Sequence, residues 1–252
     1  MNLVIDSGNT FSKTGLFDGS FLVETRWRLT FDELTNYVKS VCPSRIIISS
    51  VSHSEAQLQD LFAYHTQQVL LLSASTPVPL QKLYDTPHTL GADRVAAAVG
   101  AKVMLPTQNC LVIDMGTCIT YDLIDKANNF HGGVISPGLR MRFKAMNSFT
   151  QRLPLVEPSE SLPSLIGKNT THAMQSGVMN GLVAELNGII EQYQEIFPDF
   201  QTLLCGGDAH FFESRIKTPI FVVPELVLIG LNRILHYNVS EFNDEGRGTG
   251  FK

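Results

Sequence analysis

The sequence predicts an α/β protein built from two related halves, and three observations carry that expectation. LVIDSGNT, starting at Leu3, returns as LVIDMGT, starting at Leu111. Each copy is an apolar run followed by Asp, a Gly turn and a hydroxyl residue, the pattern of a buried strand entering a hairpin. Each signature is then followed by further strand-like segments and a helix. A chain of 252 residues that is 44% hydrophobic can form one large domain or two smaller ones, each with its own core. The duplication favours two, divided as 1–105 and 106–252.

Taken in order, the first signature leads into strands at residues 14–18 and 21–29, separated by a turn at 18–20, so that three antiparallel strands follow one another. Thr30 is a cap for FDELTNYVKSV, which has acidic residues in its first turn and Pro43 soon after its end. RIIISS, residues 45–50, reads as a buried strand. Ser52 with Glu55 makes a capping box for a helix to about residue 64, and 68–72 supplies another strand, giving βββαβαβ. Pro77, Pro79 and Pro87 make residues 73–90 an irregular connection, with Tyr84 and Asp85 at its centre. Gly91 opens the alanine-rich helix ADRVAAAVGAKVM.

The second half repeats the opening, with strands at 109–114, 117–124 and 129–135 and a helix after Pro137 and Gly138. A less regular stretch, 149–165, leads to a long helix whose start is Asn169 or Thr170. Residues 203–205 form a short strand ending at Gly206 and Gly207. A last helix follows Pro224, and the tail NDEGRGTGFK reads as disordered.

A net charge of −5 with 17% charged residues leaves no basic footprint for nucleic acid. Cys42, Cys110, Cys118 and Cys205 form no CxxC pair, so reduced thiols are expected rather than a zinc site or a disulfide framework, although Cys110 and Cys118 flank the second hairpin. The seven histidines lack ligand spacing. The first thirteen residues do not resemble a signal peptide, and the longest apolar run, 219–231, is broken by Pro224 and Glu225. A soluble, cytoplasmic protein with no membrane partner is expected.

The hairpins carry the chemistry. Gly lets backbone N–H groups approach an anion, and the hydroxyl donates a further hydrogen bond. Asp6 and Asp114 would repel phosphate unless a cation lay between, so Mg²⁺ or a monovalent ion is implied. Two such turns could clamp one triphosphate; an ordinary Asp–Gly turn is the alternative for each. GADR, Gly91 to Arg94, places a carboxylate and a guanidinium at a helix start, where Asp93 could take a proton from a substrate hydroxyl and Arg94 could hold a carboxylate or phosphate oxygen. It could equally be an acidic residue complementing the helix dipole. HGGVISPGLR (131–140) and CGGDA (205–209) suit close backbone approach to a nucleotide, or simply tight turns. Lys13 could reach a phosphate or be a solvated strand-end lysine. Neither GxxxxGK[ST], GxGxxG nor GxSxG occurs.

Taken together, DSGNTFSK at Asp6, GADR at Gly91, DMGTCITYD at Asp114, GGVISPG at Gly132, GKNTTHAMQSG at Gly167 and CGGDA at Cys205 give the chain, from residue 1 to about 236, a close similarity to another group. It resembles type III pantothenate kinases, of the superfamily that includes acetate and sugar kinases, the Hsp70 ATPase domain and actin. The resemblance implies two duplicated ribonuclease H-like domains with mixed sheets and ATP in a cleft between them. It also implies ATP-dependent phosphorylation of pantothenate to 4'-phosphopantothenate, the first step of coenzyme A synthesis. By motif, Asp6, Ser7, Gly8, Asn9, Thr10, Phe11, Ser12 and Lys13 form an ATP phosphate loop, and Thr117 contacts ATP. Asp114 matches the ligand of a monovalent cation, K⁺ or NH₄⁺, acting beside ATP with Mg²⁺. Asp93 matches the proton acceptor; Tyr84, Gly91, Ala92, Asp93 and Arg94 line the pantothenate pocket, and Thr170, in preference to its neighbour Thr171, is a further substrate contact. A homodimer formed through the second half is implied. Cys118 stands where the family often has Ala, and Asn169 where Ser is common. A kinase for another small hydroxylated metabolite, or a nucleotide-binding transcriptional accessory protein on the same scaffold, are the alternatives; Asp93 and the two hairpin aspartates argue against the latter.

Overall fold

The computed structural model describes residues 1–8, 11–50 and 68–245, with side chains through residue 239. The capping box expected at Ser52 and Glu55, its helix, and Asn9 and Thr10 of the first loop lie outside the described residues. Strands β1 (Asn2–Ser7), β2 (Ser12–Asp18) and β3 (Phe21–Leu29) precede α1 (Phe31–Val41), β4 (Arg45–Ser50) and β5 (Val69–Leu71). Next come the two-residue strand β6 (Gln81–Lys82), a 3-10 turn at Pro87–Thr89 and α2 (Ala92–Met104). Then follow β7 (Asn109–Met115), β8 (Cys118–Ile124), β9 (Asn129–Pro137), α3 (Leu139–Ser148) and α4 (Thr170–Ile196). The chain ends with β10 (Phe200–Cys205), the short helix α5 (Ala209–Phe212), a 3-10 turn at Glu213–Arg215, β11 (Ile220–Val222) and α6 (Leu226–Glu245).

The chain forms two compact units: Met1–Thr107 with Lys126–His131 and Glu225–Lys252, and Gln108–Asp125 with Gly132–Pro224. The halves expected at 1–105 and 106–252 meet near the first of these boundaries. The last helix, however, groups with the N-terminal segment, because α6 packs on α2.

In the first unit the sheet order is β3-β2-β1-β4-β5, antiparallel through β1 and parallel beyond it. The apolar runs of β1 and β4 are the signature of strands covered on both faces. Leu3, Ile5, Ile46 and Ile48 pack on one face against Leu34, Tyr37 and Val38 of α1. Val4 and Ile47 alternate to the other face and are fully buried, and α6 lies against β1 and β4. Thr30 and Glu33 form a reciprocal capping box: the Thr30 N–H donates to Glu33 Oε2 at 2.8 Å and the Glu33 N–H to Thr30 Oγ1 at 3.4 Å. The Thr30 N–H and the Thr30 hydroxyl, which both donate to the Glu33 carboxylate, hold it below its ordinary range. Helix α2 is buried continuously from Arg94 to Lys102, which explains its run of alanines. Its contact with α6 depends on small residues: a Cβ on Gly100 would strike the Leu226 carbonyl, and one on Gly230 the Ala96 carbonyl.

In the second unit β11, β10 and β7 are parallel, and β7 pairs antiparallel with β8. Met174, Val178, Leu182, Leu186 and Ile190, four apart along α4, and Met179 beside them pack against Leu111, Ile113, Ile119 and Tyr121 of the sheet and Phe143 of α3. Cys110 lies opposite Ile124 while Cys118 begins β8 beside the turn, so the two thiols occupy opposite ends of the hairpin, and no disulfide joins any of the four cysteines. Helix α4 begins at Thr170 with Asn169 as its cap, the Asn169 side chain accepting from the His172 N–H at 2.8 Å. Strand β9 runs two residues past the expected end, β10 starts three residues early, and α6 continues into the tail expected to be disordered. Strands β6 and β11 and helix α5 were not anticipated from the sequence. No helix among the described residues is long and apolar enough to cross a membrane.

Candidate active site

The first hairpin places Asp6 opposite Lys13 and Ser7 opposite Ser12, because β1 and β2 pair in register up to the loop. The loop is closed by the Gly8 N–H donating to the Phe11 carbonyl at 3.2 Å and the Ser12 hydroxyl to Ser7 Oγ at 3.3 Å. Directly opposed residues in an antiparallel pair share a face, so Asp6 and Lys13 are cross-strand neighbours. The Lys13 ammonium lies 4.4 Å from the centroid of the Trp27 ring on β3.

The second hairpin is held from two sides by the glycine motifs that the sequence singles out. Its turn is closed by the Gly116 N–H donating to the Cys118 carbonyl at 3.1 Å. From the SPG segment, Gly138 donates to the Thr117 carbonyl at 3.1 Å, and a Cβ there would overlap the Thr117 carbonyl. From the CGGDA segment, the Asp208 N–H donates to the Met115 carbonyl at 3.1 Å. Gly206 has φ +92°, and a Cβ on it would lie 2.5 Å from Asp114 Oδ1. Gly116 bounds the same oxygen at 3.3 Å from its own hypothetical Cβ. The Asp114 carboxylate therefore sits in a cradle that only glycine leaves open. Beside it, Arg140 donates to Asp208 at 2.9 Å, an ion pair that sequence reading missed because its partners lie 68 positions apart.

Among the described residues no three His, Cys, Asp or Glu side chains converge as a metal cluster. A cation held by Asp114 would find at most one further such side chain among the described residues and would complete its shell with carbonyl, water or phosphate oxygens, a ligand set suited to Mg²⁺ or a monovalent ion. The residues present fit such an ion.

GADR forms the start of α2. Gly91 is the cap, and the Asp93 carboxylate folds back over it, Oδ1 lying 2.5 Å from where a Gly91 Cβ would be. Oδ1 accepts from the Arg94 N–H at 2.8 Å, which fixes the carboxyl plane and complements the helix dipole. No described residue donates to Oδ2, so one oxygen remains available to accept a proton. Arg94 is only 6% exposed. Its guanidinium lies 5.7 Å from the Tyr84 ring and 5.8 Å from the Phe130 ring, which meet edge to face at 6.2 Å. Tyr84 thus lies beside Arg94 of GADR. Phe130 does so unforeseen, because β6 pairs Lys82 with it and brings Tyr84 alongside. Thr170 is exposed at the first turn of α4 in the other unit. Gly167 lies against the backbone of His172 and Ala173, so this loop folds onto the start of the helix.

The type III pantothenate kinase profile matches residues 2–192. A protein named type III pantothenate kinase from Cytophaga hutchinsonii is 47% identical over 243 residues, covering 95% of this chain and 100% of that relative. The chain belongs to the type III pantothenate kinase family. A second member, from Phocaeicola vulgatus, is 42% identical over 240 residues, covering 94% and 99% of the two chains. Among solved structures, a Baf family protein from Campylobacter jejuni superposes with TM-score 0.63 at 19% identity over 94% of this chain and 99% of its own. The activator of 2-hydroxyisocaproyl-CoA dehydratase from Clostridium difficile, solved with ADPNP, superposes with TM-score 0.56 at 12% identity over 100% and 99%. At those identities the likeness establishes the fold: a mixed α/β protein with two mixed sheets, as in the actin-like ATPases and sugar kinases.

Proposed function

We propose that this protein transfers the γ-phosphoryl group of ATP to the primary hydroxyl of pantothenate, giving 4'-phosphopantothenate at the first step of coenzyme A synthesis. Family membership supports the reaction, and the geometry of Asp93 is the observation that carries its mechanism. With Oδ1 tied to the Arg94 N–H, Oδ2 accepts the proton of the attacking hydroxyl as the oxygen bonds to phosphorus. Gly91, Ala92, Arg94 and Tyr84 hold pantothenate beside it, with Thr170 as a further contact. Arg94, buried beside the Tyr84 and Phe130 rings, pairs with the substrate carboxylate. The loop from Asp6 to Lys13, which includes Asn9 and Thr10, cradles the phosphates, Thr117 contacts ATP, and Asp114 holds K⁺ or NH₄⁺. Mg²⁺ neutralises charge on the phosphate oxygens when bound.

The protein acts as a homodimer in the cytoplasm. Exposed Phe149, Leu165 and Ile166, in and beside the segment that leads to α4, are the kind of apolar surface a second copy would cover. Sedimentation at micromolar concentration distinguishes dimer from monomer. The activity test is pantothenate-dependent ADP formation by purified protein with Mg²⁺ and K⁺; its absence overturns the assignment. The Asp93→Asn variant should bind ATP normally and lose about 10²–10⁴-fold in turnover, the usual contribution of a general base. Near-normal turnover removes Asp93 from that role.

A further inference from the structure

The edge strand β3 departs from regular pairing where it passes the first phosphate loop. Ser12 lies opposite Leu29 and Thr14 opposite Arg26, so the single residue Lys13 faces two residues, Trp27 and Arg28. This is a β-bulge, and Arg28 takes φ +59°, a conformation uncommon for a non-glycine residue outside Asn and Asp. Bulges re-aim side chains, and the two displaced here both reach back to the loop. Trp27 lies under the Lys13 ammonium at 4.4 Å, and the Arg28 guanidinium lies 5.2 Å from the ring of Phe11, whose carbonyl closes the loop. A regular strand would not put two side chains at that spot.

We propose that Trp27 is a positioning residue for ATP: it holds the Lys13 ammonium over its ring, beside Asp6, so that the charge is already in place when phosphate arrives. Lysine loses much rotamer freedom when it binds a phosphate, and a cation held over an indole has lost part of it beforehand. Trp27 is itself 42% exposed, so its ring is not a core element whose loss would collapse the sheet. The inference rests on the assignment of Lys13 to ATP phosphates.

The expected size follows from the worth of an exposed cation–π contact, about 0.5–1 kcal/mol, or roughly two- to fivefold. Trp27→Leu should raise the KM for ATP by that factor and leave the KM for pantothenate unchanged. Trp27→Tyr, which keeps a ring, should restore most of the loss. In a Lys13→Met background, Trp27→Leu should have no further effect, whereas a merely structural role would add its cost. The chain has one tryptophan, so its emission reports this contact directly. MgATP should change Trp27 emission in the wild-type protein and leave it unchanged in Lys13→Met. An unaltered KM for ATP in Trp27→Leu, equal effects on both substrates, additive losses in the double variant, or an emission change that survives Lys13→Met would each overturn the proposal. If the wild type phosphorylates no pantothenate, the kinase assignment fails instead, and ATP titration of Trp27 emission still decides this point.

Discussion

Gly206 and Gly207 are indistinguishable as letters in CGGDA, yet the structure assigns them opposite sensitivities. At Gly206 the backbone has φ +92°, and an added Cβ would lie 2.5 Å from Asp114 Oδ1 and 2.5 Å from the Met115 backbone. Restoring ordinary contact requires a shift of about 0.5–0.9 Å, and most of it must come from the hairpin backbone that carries Asp114. The φ penalty costs about 1–3 kcal/mol and the overlap about 1–3 kcal/mol more, offset by about 0.4–1 kcal/mol from the stiffer unfolded chain. Gly206→Ala should therefore destabilise by roughly 1–5.5 kcal/mol. A displacement approaching 1 Å at a catalytic group can cost up to about 10²-fold, so turnover should also fall by roughly 10- to 100-fold. Gly207 has no neighbour within 4 Å of its hypothetical Cβ and no positive φ. Gly207→Ala should stay within about 1 kcal/mol of the parent and keep its activity. Urea unfolding and steady-state kinetics on the two variants make the comparison. Equal losses, or a larger loss at Gly207, would refute the cradle around Asp114.

Gly230→Val should drive a side chain into the Ala96 carbonyl, part α6 from α2 and lower the thermal midpoint, with a cost of about 1–3 kcal/mol or more in a melting experiment. Gly177 and Gly181 lie within α4 with open space around them, so Gly177→Ala and Gly181→Ala should each stabilise by about 1 kcal/mol in the same assay. Arg94→Lys gives up the flat guanidinium packed beside Tyr84 and Phe130 and should raise the KM for pantothenate roughly fivefold, equivalent to about 1 kcal/mol, while the KM for ATP holds. Burial, and next the charge of Glu185, push the Tyr121 phenol far above its usual range. Because the folded value is the raised one, stability should be level below pH ~10 and fall as the unfolded chain ionises above it, by at most about 1.4 kcal/mol per pH unit. Tyr121→Phe should flatten that decline in urea titrations between pH 8 and 11, while losing the hydrogen bond to Glu185.

What the sequence made legible is what local pattern encodes. The apolar runs of β1, β4 and β7, the Thr30 cap and the alanine-rich α2 follow from propensity and burial over short windows. What stayed hidden depends on partners distant in sequence. Strand β6 has two residues and exists because Lys82 and Gln81 pair with Phe130 and Asn129; without that pairing Phe130 has no route to Arg94. The burial of Arg94 runs against the usual exposure of arginine, and no neighbour in GADR announces it. The bulge at Trp27 and Arg28 leaves no mark in the alternation of β3, since it arises from the count of residues on two strands rather than on one.

The same distinction bears on the unequal duties proposed for the two copies of one signature. Their strands are equivalent, because the repeated letters specify an equivalent hairpin in each half. Their surroundings are not. The first hairpin is flanked by β3, whose bulge delivers an indole to Lys13; the second is flanked by Gly138 and Gly206, whose missing side chains open a cradle around Asp114. A lysine beside a loop suits phosphate oxygens, whereas a carboxylate in a glycine-lined cradle suits a cation. Repetition in sequence therefore predicts the scaffold of each site, while the neighbours that each hairpin acquires on folding decide its chemistry.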